Sequence, residues 1–306
     1  MQSVADFLTE WVNLRSAGLA PRTIESYNGL ISRQIGPNLA DIAADQLQPE
    51  QVQRLLSGLC AAGHSRTAQL VYILLRAAYS EAVRVGILAT DPTNRVLRPR
   101  HVTSDPRWWS LDEVKTFAQA CPSLQFGHAW LLALMCGLRR GELAGLRWSD
   151  VDLVGHELHI CNQRQWVGGR LIDAPPKSRA GRRSIPYPSL LHDTLACQNR
   201  LQRLQQARGA VLPVYVVCGS DNRPIDPHRL NKALWCDIER VGLRQINLHG
   251  LRHSMASAAV AAGVDIKVLQ SLLGHAHYST TADIYAHVLH GQQVQAVAAL
   301  CAAVYT

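Results

Sequence analysis

The chain has 306 residues, 47% of them hydrophobic, with a formal net charge of +8 and a pI of about 9.3. That length suits two domains with ordinary packed cores, and the charge suits a polyanionic partner. The start MQSVADFLTEWV lacks a basic n-region and an unbroken apolar core, no apolar run reaches membrane-spanning length, and the 8 cysteines form no CxxC pair. A secretory leader, a membrane span and a disulfide scaffold are all disfavoured, and reduced, buried thiols in a cytoplasmic protein are expected.

In chain order, residues 3–15 predict a first helix with Ser3 as cap and Phe7, Leu8, Trp11, Val12 and Leu14 on or near one face. Gly18 to Pro21 breaks the pattern. Thr23 is expected to cap a second helix running to about Ile35, where Gly36-Pro37 interrupts it. Pro49 fits the first turn of a third helix to about Ala62. A long apolar helix follows from about Ser65 to Val85 and stops at Gly86. Residues 1–90 thus predict a four-helix domain.

Residues 91–107 (DPTNRVLRPRHVTSDPR) carry three prolines and five arginines or histidines, and predict a basic linker. The second domain, 108–306, starts near Trp108. Ser110 and Glu113 form an S-x-x-E capping box before a helix. Residues 127–146 predict one apolar helix ending in the turn at Arg139. Residues 151–186 alternate apolar and polar, with Gly168-Gly169 and Gly181 at turns, and predict short antiparallel strands in one small sheet. From about Leu190 the pattern is again helical. The fold class expected is mainly α with a small antiparallel β-sheet.

Six residues of the second half carry chemistry: Arg139, Lys177, His249, Arg252, His275 and Tyr285. A tyrosine is a poor nucleophile, with an unperturbed pKa near 10. Surrounded by cationic and hydrogen-bonding groups at a phosphate, it can carry out phosphoryl transfer with neither metal nor nucleotide. These residues lie in CGLRRGEL, APPKSRAGRR, LHGLRH and LLGHAHYSTTADIYAH. In order and spacing the four strings resemble the tyrosine recombinases, the family of phage integrases and Xer-type recombinases. LAPRTIESYNGLI near the start is similar to the opening of that family's core-binding domain. The chain departs from the family pattern at Cys136, usually threonine, and at Gly250, usually aspartate. Neither is a reacting group, but glycine at 250 is expected to loosen the turn that leads to Arg252.

The resemblance implies a core-binding (SAM-like) helical domain followed by an α/β catalytic domain, without a further arm-binding domain. It implies a site-specific DNA recombinase working through a 3′-phosphotyrosyl intermediate, in phage or mobile-element integration and excision. Tyr285 would attack the scissile phosphate. Arg139 and Arg252 would hold its non-bridging oxygens, and Lys177 would protonate the departing 5′ oxygen. His249 would take the tyrosine proton or hold a phosphate oxygen, and His275 would donate to one. Glu142 and His253 would stand behind these groups. The His249/His253 spacing could bind a metal on a helix, but no third ligand accompanies the pair. No cofactor is expected, in keeping with the absence of a GxxxxGK[ST] loop.

The partner implied is a double-stranded DNA core site, contacted by Arg22, Thr23, Arg98, Arg100 and Arg229 among others. Self-association as a dimer on a site and a tetramer in synapsis is also implied, with a directionality factor or host DNA-bending protein as a further partner and no membrane. The apolar positions 294, 297, 300, 301 and 304 suggest a tail helix that docks on a neighbouring protomer or on its own domain. Competing readings are an Xer-type dimer resolvase, a type IB topoisomerase, and a non-catalytic DNA-binding regulator.

Overall fold

In the computed structural model, which describes residues 2–100, 108–176 and 178–274, the chain divides into two units, Met1–Pro106 and Arg107–Thr306. In the first, α1 (Val4–Arg15) starts as expected: the Ser3 hydroxyl accepts from the Asp6 amide, and Val4, Phe7, Leu8 and Val12 turn inward. The start of α2 (Pro21–Leu30) differs. Ala20 is the N-cap and Pro21 takes the first helical position, so Thr23 lies inside the first turn instead of capping it. Nor does the helix stop at Gly36-Pro37. It passes through a π-helical turn, Ile31–Ile35, into α3 (Gly36–Leu39), with the Gly36 N–H donating to Ile31 O. The wider turn accommodates both the glycine and Pro37, which has no N–H to donate.

A reciprocal pair, Gln48 and Gln51, opens α4 (Pro49–Ala61), and α5 (Ser65–Arg84) is the long helix. Four rods thus close around Leu8, Ile35, Leu56, Leu74 and Tyr79. The buried Tyr79 hydroxyl donates to Ala44 O at 3.1 Å. Residues 92–96, expected to belong to a linker, stay with this unit. Asp91 caps a short 3-10 turn, Pro92–Arg95, and Pro92, Thr93 and Val96 are buried against α4 and α5.

The second unit is helical around small sheets. α6 (Leu111–Ala120) opens on the expected capping box, Ser110 N donating to Glu113 at 2.8 Å and Glu113 N to Ser110 Oγ at 3.3 Å. α7 (Gly127–Cys136) is apolar on every side and buried along nearly its whole length, the pattern of a central helix. Its Trp130 indole donates to Asp237 at 2.8 Å. The one helix expected over 127–146 is in fact two. Gly137 adopts a left-handed φ of 61° and ends α7, and α8 (Arg140–Gly145) begins after Arg139. A Cβ at Gly137 would also lie 2.3 Å from Met255 Cε, a flexible side-chain end that can shift, so it is the left-handed dihedral that requires glycine.

The strands β1 (Val151–Asp152), β2 (Glu157–Ile160), β3 (Gln163–Val167), β4 (Arg170–Ala174) and β5 (Arg183–Pro186) make two sheets, not one. β1, β2 and β5 form an antiparallel sheet in that order, burying Leu158, Ile160 and Ile185. β3 and β4 form a separate hairpin whose turn is Gly168-Gly169, at φ 55° and 75°. It packs on α8, where Gly141 and Gly145 let its backbone approach. A Cβ at Gly145 would sit 2.8 Å from Arg164 N. Then follow α9 (Ser189–Ala207), α10 (Pro227–Val241), α11 (Leu248–Ala261) and α12 (Ile266–Leu273). Among the described residues no helix is long and apolar enough to cross a membrane. Cys121, Cys136 and Cys218 are buried free thiols, whereas Cys60, Cys161, Cys197 and Cys236 are exposed free thiols, so the expectation of burial holds for only part of the set.

Gly127 at the start of α7 leaves no room for a side chain, since a Cβ would lie 1.7 Å from Cys121 O. Gly127→Ala is expected to destabilise the protein by about 2 kcal/mol or more through forced backbone movement. Urea unfolding measures this, and an unchanged midpoint would show that the turn before α7 yields freely.

Candidate active site

The last carbonyls of a helix have no partner within it and carry the negative end of its dipole. At the end of α12 three successive carbonyls each receive a guanidinium. Arg183 Nε donates to Leu272 O at 2.6 Å, Arg252 Nη2 donates to Leu273 O, and Arg139 Nη2 donates to Gly274 O at 2.8 Å. The three arginines come from β5, α11 and the turn before α8. Gly274, left-handed at φ 61°, ends the helix at this point.

Glu142 fastens the cluster. Its carboxylate is 2% exposed. It accepts from the Arg139 backbone N–H at 2.9 Å and Nη1 at 2.7 Å, and from Arg183 at 2.9 and 3.1 Å. Burial alone would raise its pKa. The hydrogen bonds and charge of Arg183, then those of Arg139, overcome this and hold it below the usual carboxylate range. Arg252 is buried, and its Nη1 also donates to Gly137 O, tying α11 to the turn that presents Arg139.

His249 and Arg252 lie one turn apart on α11. Gly250, expected from the sequence to loosen the turn that leads to Arg252, lies in the first turn of α11 with both its backbone groups hydrogen-bonded. Asn247, the N-cap, accepts from Gly250 N at 2.9 Å, and Gly250 O accepts from Ser254 Oγ at 2.8 Å. The His249 ring meets His253 edge-on with centroids 4.3 Å apart, and His253 faces Trp108. Crowding by protein, then the charges of Arg252 and Arg139, lower the pKa of His249. His253 is lowered to about 4 by burial, then by His249 and Arg252. Both rings are therefore neutral near pH 7. Among the described residues no cluster of three or more His, Cys, Asp or Glu side chains could hold a metal ion.

Of the six residues singled out from sequence, Arg139, His249 and Arg252 are brought together here. Lys177, His275 and Tyr285 lie outside the described residues, as does the tail 292–306. Of the DNA-contact candidates, Arg22 is exposed and paired with Glu25 at 2.7 Å, Thr23 is half-buried in α2, and Arg98, Arg100 and Arg229 are exposed. Sequence reasoning left Arg183 without a role inside the string APPKSRAGRR and so missed it. The signal was present: Arg183 is two residues before the buried Ile185, so in a strand both share the inward face.

Replacing Glu142 by Gln removes one anion from between two guanidiniums, and is expected to cost on the order of 3 kcal/mol at pH 7. Because its folded pKa is depressed, the carboxylate contributes fully above its unfolded pKa of about 4.3 and less as pH falls through the lower folded value. The stability gap between wild type and Glu142→Gln should therefore be constant above about pH 5 and narrow below pH 4 in urea titrations. A gap independent of pH would show that the charge of Glu142 is not what holds the cluster.

Residues 107–291 match the phage integrase family. A XerC-like tyrosine recombinase of Caldanaerobacter subterraneus is 28% identical over 303 residues, covering 92% of this chain and 78% of its own. The ICEBs1 integrase of Bacillus subtilis is 26% identical over 223 residues, covering 70% of this chain and 60% of its own. Among solved structures, the Tn1549 transposon integrase in complex with a circular intermediate DNA has a TM-score of 0.81 at 16% identity, over 96% of this chain and 99% of the other. A lambda integrase tetramer bound to a Holliday junction has a TM-score of 0.68 at 20% identity, over 92% and 77%. With Arg139 and Arg252 gathered at the end of α12, and the family's model spanning most of the second unit, the chain belongs to the phage integrase family and is a tyrosine site-specific recombinase.

Proposed function

We propose that the cluster at the end of α12 is the phosphate-holding half of the recombination site. Arg139 and Arg252 bind the non-bridging oxygens of the scissile phosphate, where a planar fork matches the charge that gathers in the transition state. Tyr285 attacks phosphorus and forms the 3′-phosphotyrosyl bond, while Lys177 gives a proton to the departing 5′ oxygen. His275 donates to a phosphate oxygen. His249, neutral at pH 7, can accept the tyrosine proton. Glu142 orients Arg139, and His253 buttresses His249. The bond energy stays in a phosphodiester, so rejoining needs no nucleotide. The observation that carries this reading is the convergence of Arg139 and Arg252 on the carbonyls of Gly274 and Leu273, directly before His275.

The substrate is a double-stranded core site, and the biological outcome is integration or excision of a mobile element. Integrase relatives such as those of ICEBs1 and prophage phiRv2 favour this over dimer resolution. The lambda integrase has been solved as a dimer on a core site and as a tetramer on a Holliday junction. By analogy this chain works as a dimer on each site and a tetramer in synapsis, with a directionality factor or DNA-bending protein setting the direction. Arg22, Thr23, Arg98, Arg100 and Arg229 are the DNA-contact candidates, and phosphate contacts make binding strongly salt-dependent.

Tyr285→Phe is expected to bind a core site normally yet form no SDS-stable adduct on a suicide duplex. An adduct formed by that variant would overturn the assignment of Tyr285. Removing residues 292–306 should reduce recombination far more than binding of a single site, as gel-shift and recombination assays can compare. Equal recombination by the truncated protein would dismiss a role for the tail in assembly.

A further inference from the structure

A second polar cluster lies at the base of the β3–β4 hairpin, apart from the arginines described above. Asp173 on β4 accepts from Arg164 Nε at 2.8 Å, Arg147 Nη2 at 2.9 Å and the Tyr215 hydroxyl at 2.7 Å. Arg164 lies directly across the hairpin from Asp173 in register, and its guanidinium sits 4.0 Å over the Tyr215 ring. Arg164 is only 6% exposed. Two guanidiniums share this one carboxylate. Arg147 Nε and Arg164 Nη1 are buried with no hydrogen-bond partner among the described residues. A cluster with surplus positive charge is costly to assemble, and Asp173 is what makes it tolerable.

Its location gives it a purpose. A two-stranded hairpin is marginal by itself, and this one must be held from outside. Arg147 follows α8 and Tyr215 precedes the buried pair Val216 and Val217, so Asp173 pins the hairpin to the body of the unit. The pinned end is the one opposite the Gly168-Gly169 turn, where β4 leads into the segment carrying Lys177. Two further contacts hold that exit. Gln163 Nε2 donates to Pro175 O at 3.0 Å, and a Cβ at Gly181 would lie 2.6 Å from Pro176 Cβ, so the chain returns tightly against the proline.

We infer that Asp173 is a positioning residue for the leaving-group step. By gripping Arg147, Arg164 and Tyr215 it sets the base of the hairpin from which Lys177 reaches the scissile 5′ oxygen. This rests on the reading of Lys177 as the proton donor. In that step the tyrosine proton passes to His249, the Tyr285 oxygen–phosphorus bond forms, the phosphorus–O5′ bond breaks, and the lysine proton passes to O5′. If a sulfur bridges at the 5′ position, the thiolate departs without a proton, because a thiol is far more acidic than an alcohol. A defect in placing the donor is then bypassed, whereas a defect in holding the phosphate is not.

The test measures single-turnover cleavage of matched suicide duplexes carrying oxygen or sulfur at the 5′ bridge, by wild type, Asp173→Asn, Tyr215→Phe, Lys177→Ala and Arg139→Ala. Asp173→Asn is expected to cut the oxygen substrate about tenfold or more slowly, the scale of a misplaced catalytic group, and to approach wild type on sulfur. Tyr215→Phe, which keeps the ring over Arg164 and loses one hydrogen bond to Asp173, should show a smaller loss with the same recovery; it decides the matter if Asp173→Asn does not fold. Arg139→Ala should stay slow on both substrates. If Lys177→Ala recovers on sulfur while both cluster variants remain equally slow on the two substrates, the positioning role of Asp173 is overturned. If Lys177→Ala itself does not recover, it is the assignment of Lys177 that fails.

Discussion

Everything in the catalytic unit leans on one buried carboxylate. Glu142 is almost without solvent and accepts from both Arg139 and Arg183. Removing a carboxylate from water is expensive, and only several well-placed charged donors make the exchange tolerable. That demand ties together parts of the chain far apart in sequence: the turn before α8, the strand β5 and, through the arginines, the end of α12. Without Glu142 two cations would face each other beside a helix end. With it they form a rigid frame in which α12 must finish at Gly274.

The frame also explains why arginines and not lysines stand here. Each guanidinium serves two masters at fixed angles, a carboxylate or carbonyl on one side and a helix-terminal carbonyl on the other. A planar fork with several donors does this, and a single ammonium on a flexible stem does not. The helix dipole adds its own attraction for cations at the same place. The arginines proposed to receive a phosphate are thus already held in place by neutral and anionic protein groups. Neutral His249 and His253 fit the same logic, since burial first, and then the nearby cationic groups, disfavour a proton on both rings. The Asp173 cluster repeats the device at the hairpin base, where one carboxylate again steadies two arginines.

Much of this was legible beforehand, and for local reasons. Ser3 and the Ser110–Glu113 pair start helices through hydrogen bonds within one turn, so the residues alone announce them. The apolar run 127–136 announces a central helix. Arg139, His249 and Arg252 were recognisable because family chemistry is written in short strings. The failures were also local in appearance, and two of the three were tertiary in cause. Gly36-Pro37 seemed a stop, yet a π turn supported by packing carried the helix through. Thr23 had the right side chain for a cap, but Pro21 had already started the helix. One sheet was expected where there are two, because alternation tells which residues face inward and not which strand pairs with which.

The sequence by itself determined the helix starts at Ser3 and Ser110, the turn glycines, the recombinase strings and the overall excess of positive charge, since each depends on residues a few positions apart or on composition. Only the tertiary structure decided that Arg183, one basic residue among several, would bridge Glu142 and Leu272, and that Asp173 would gather Arg147, Arg164 and Tyr215. Those partners are separated by 9 to 89 residues. Which charges meet across such distances depends on how the core closes, and no local pattern encodes it.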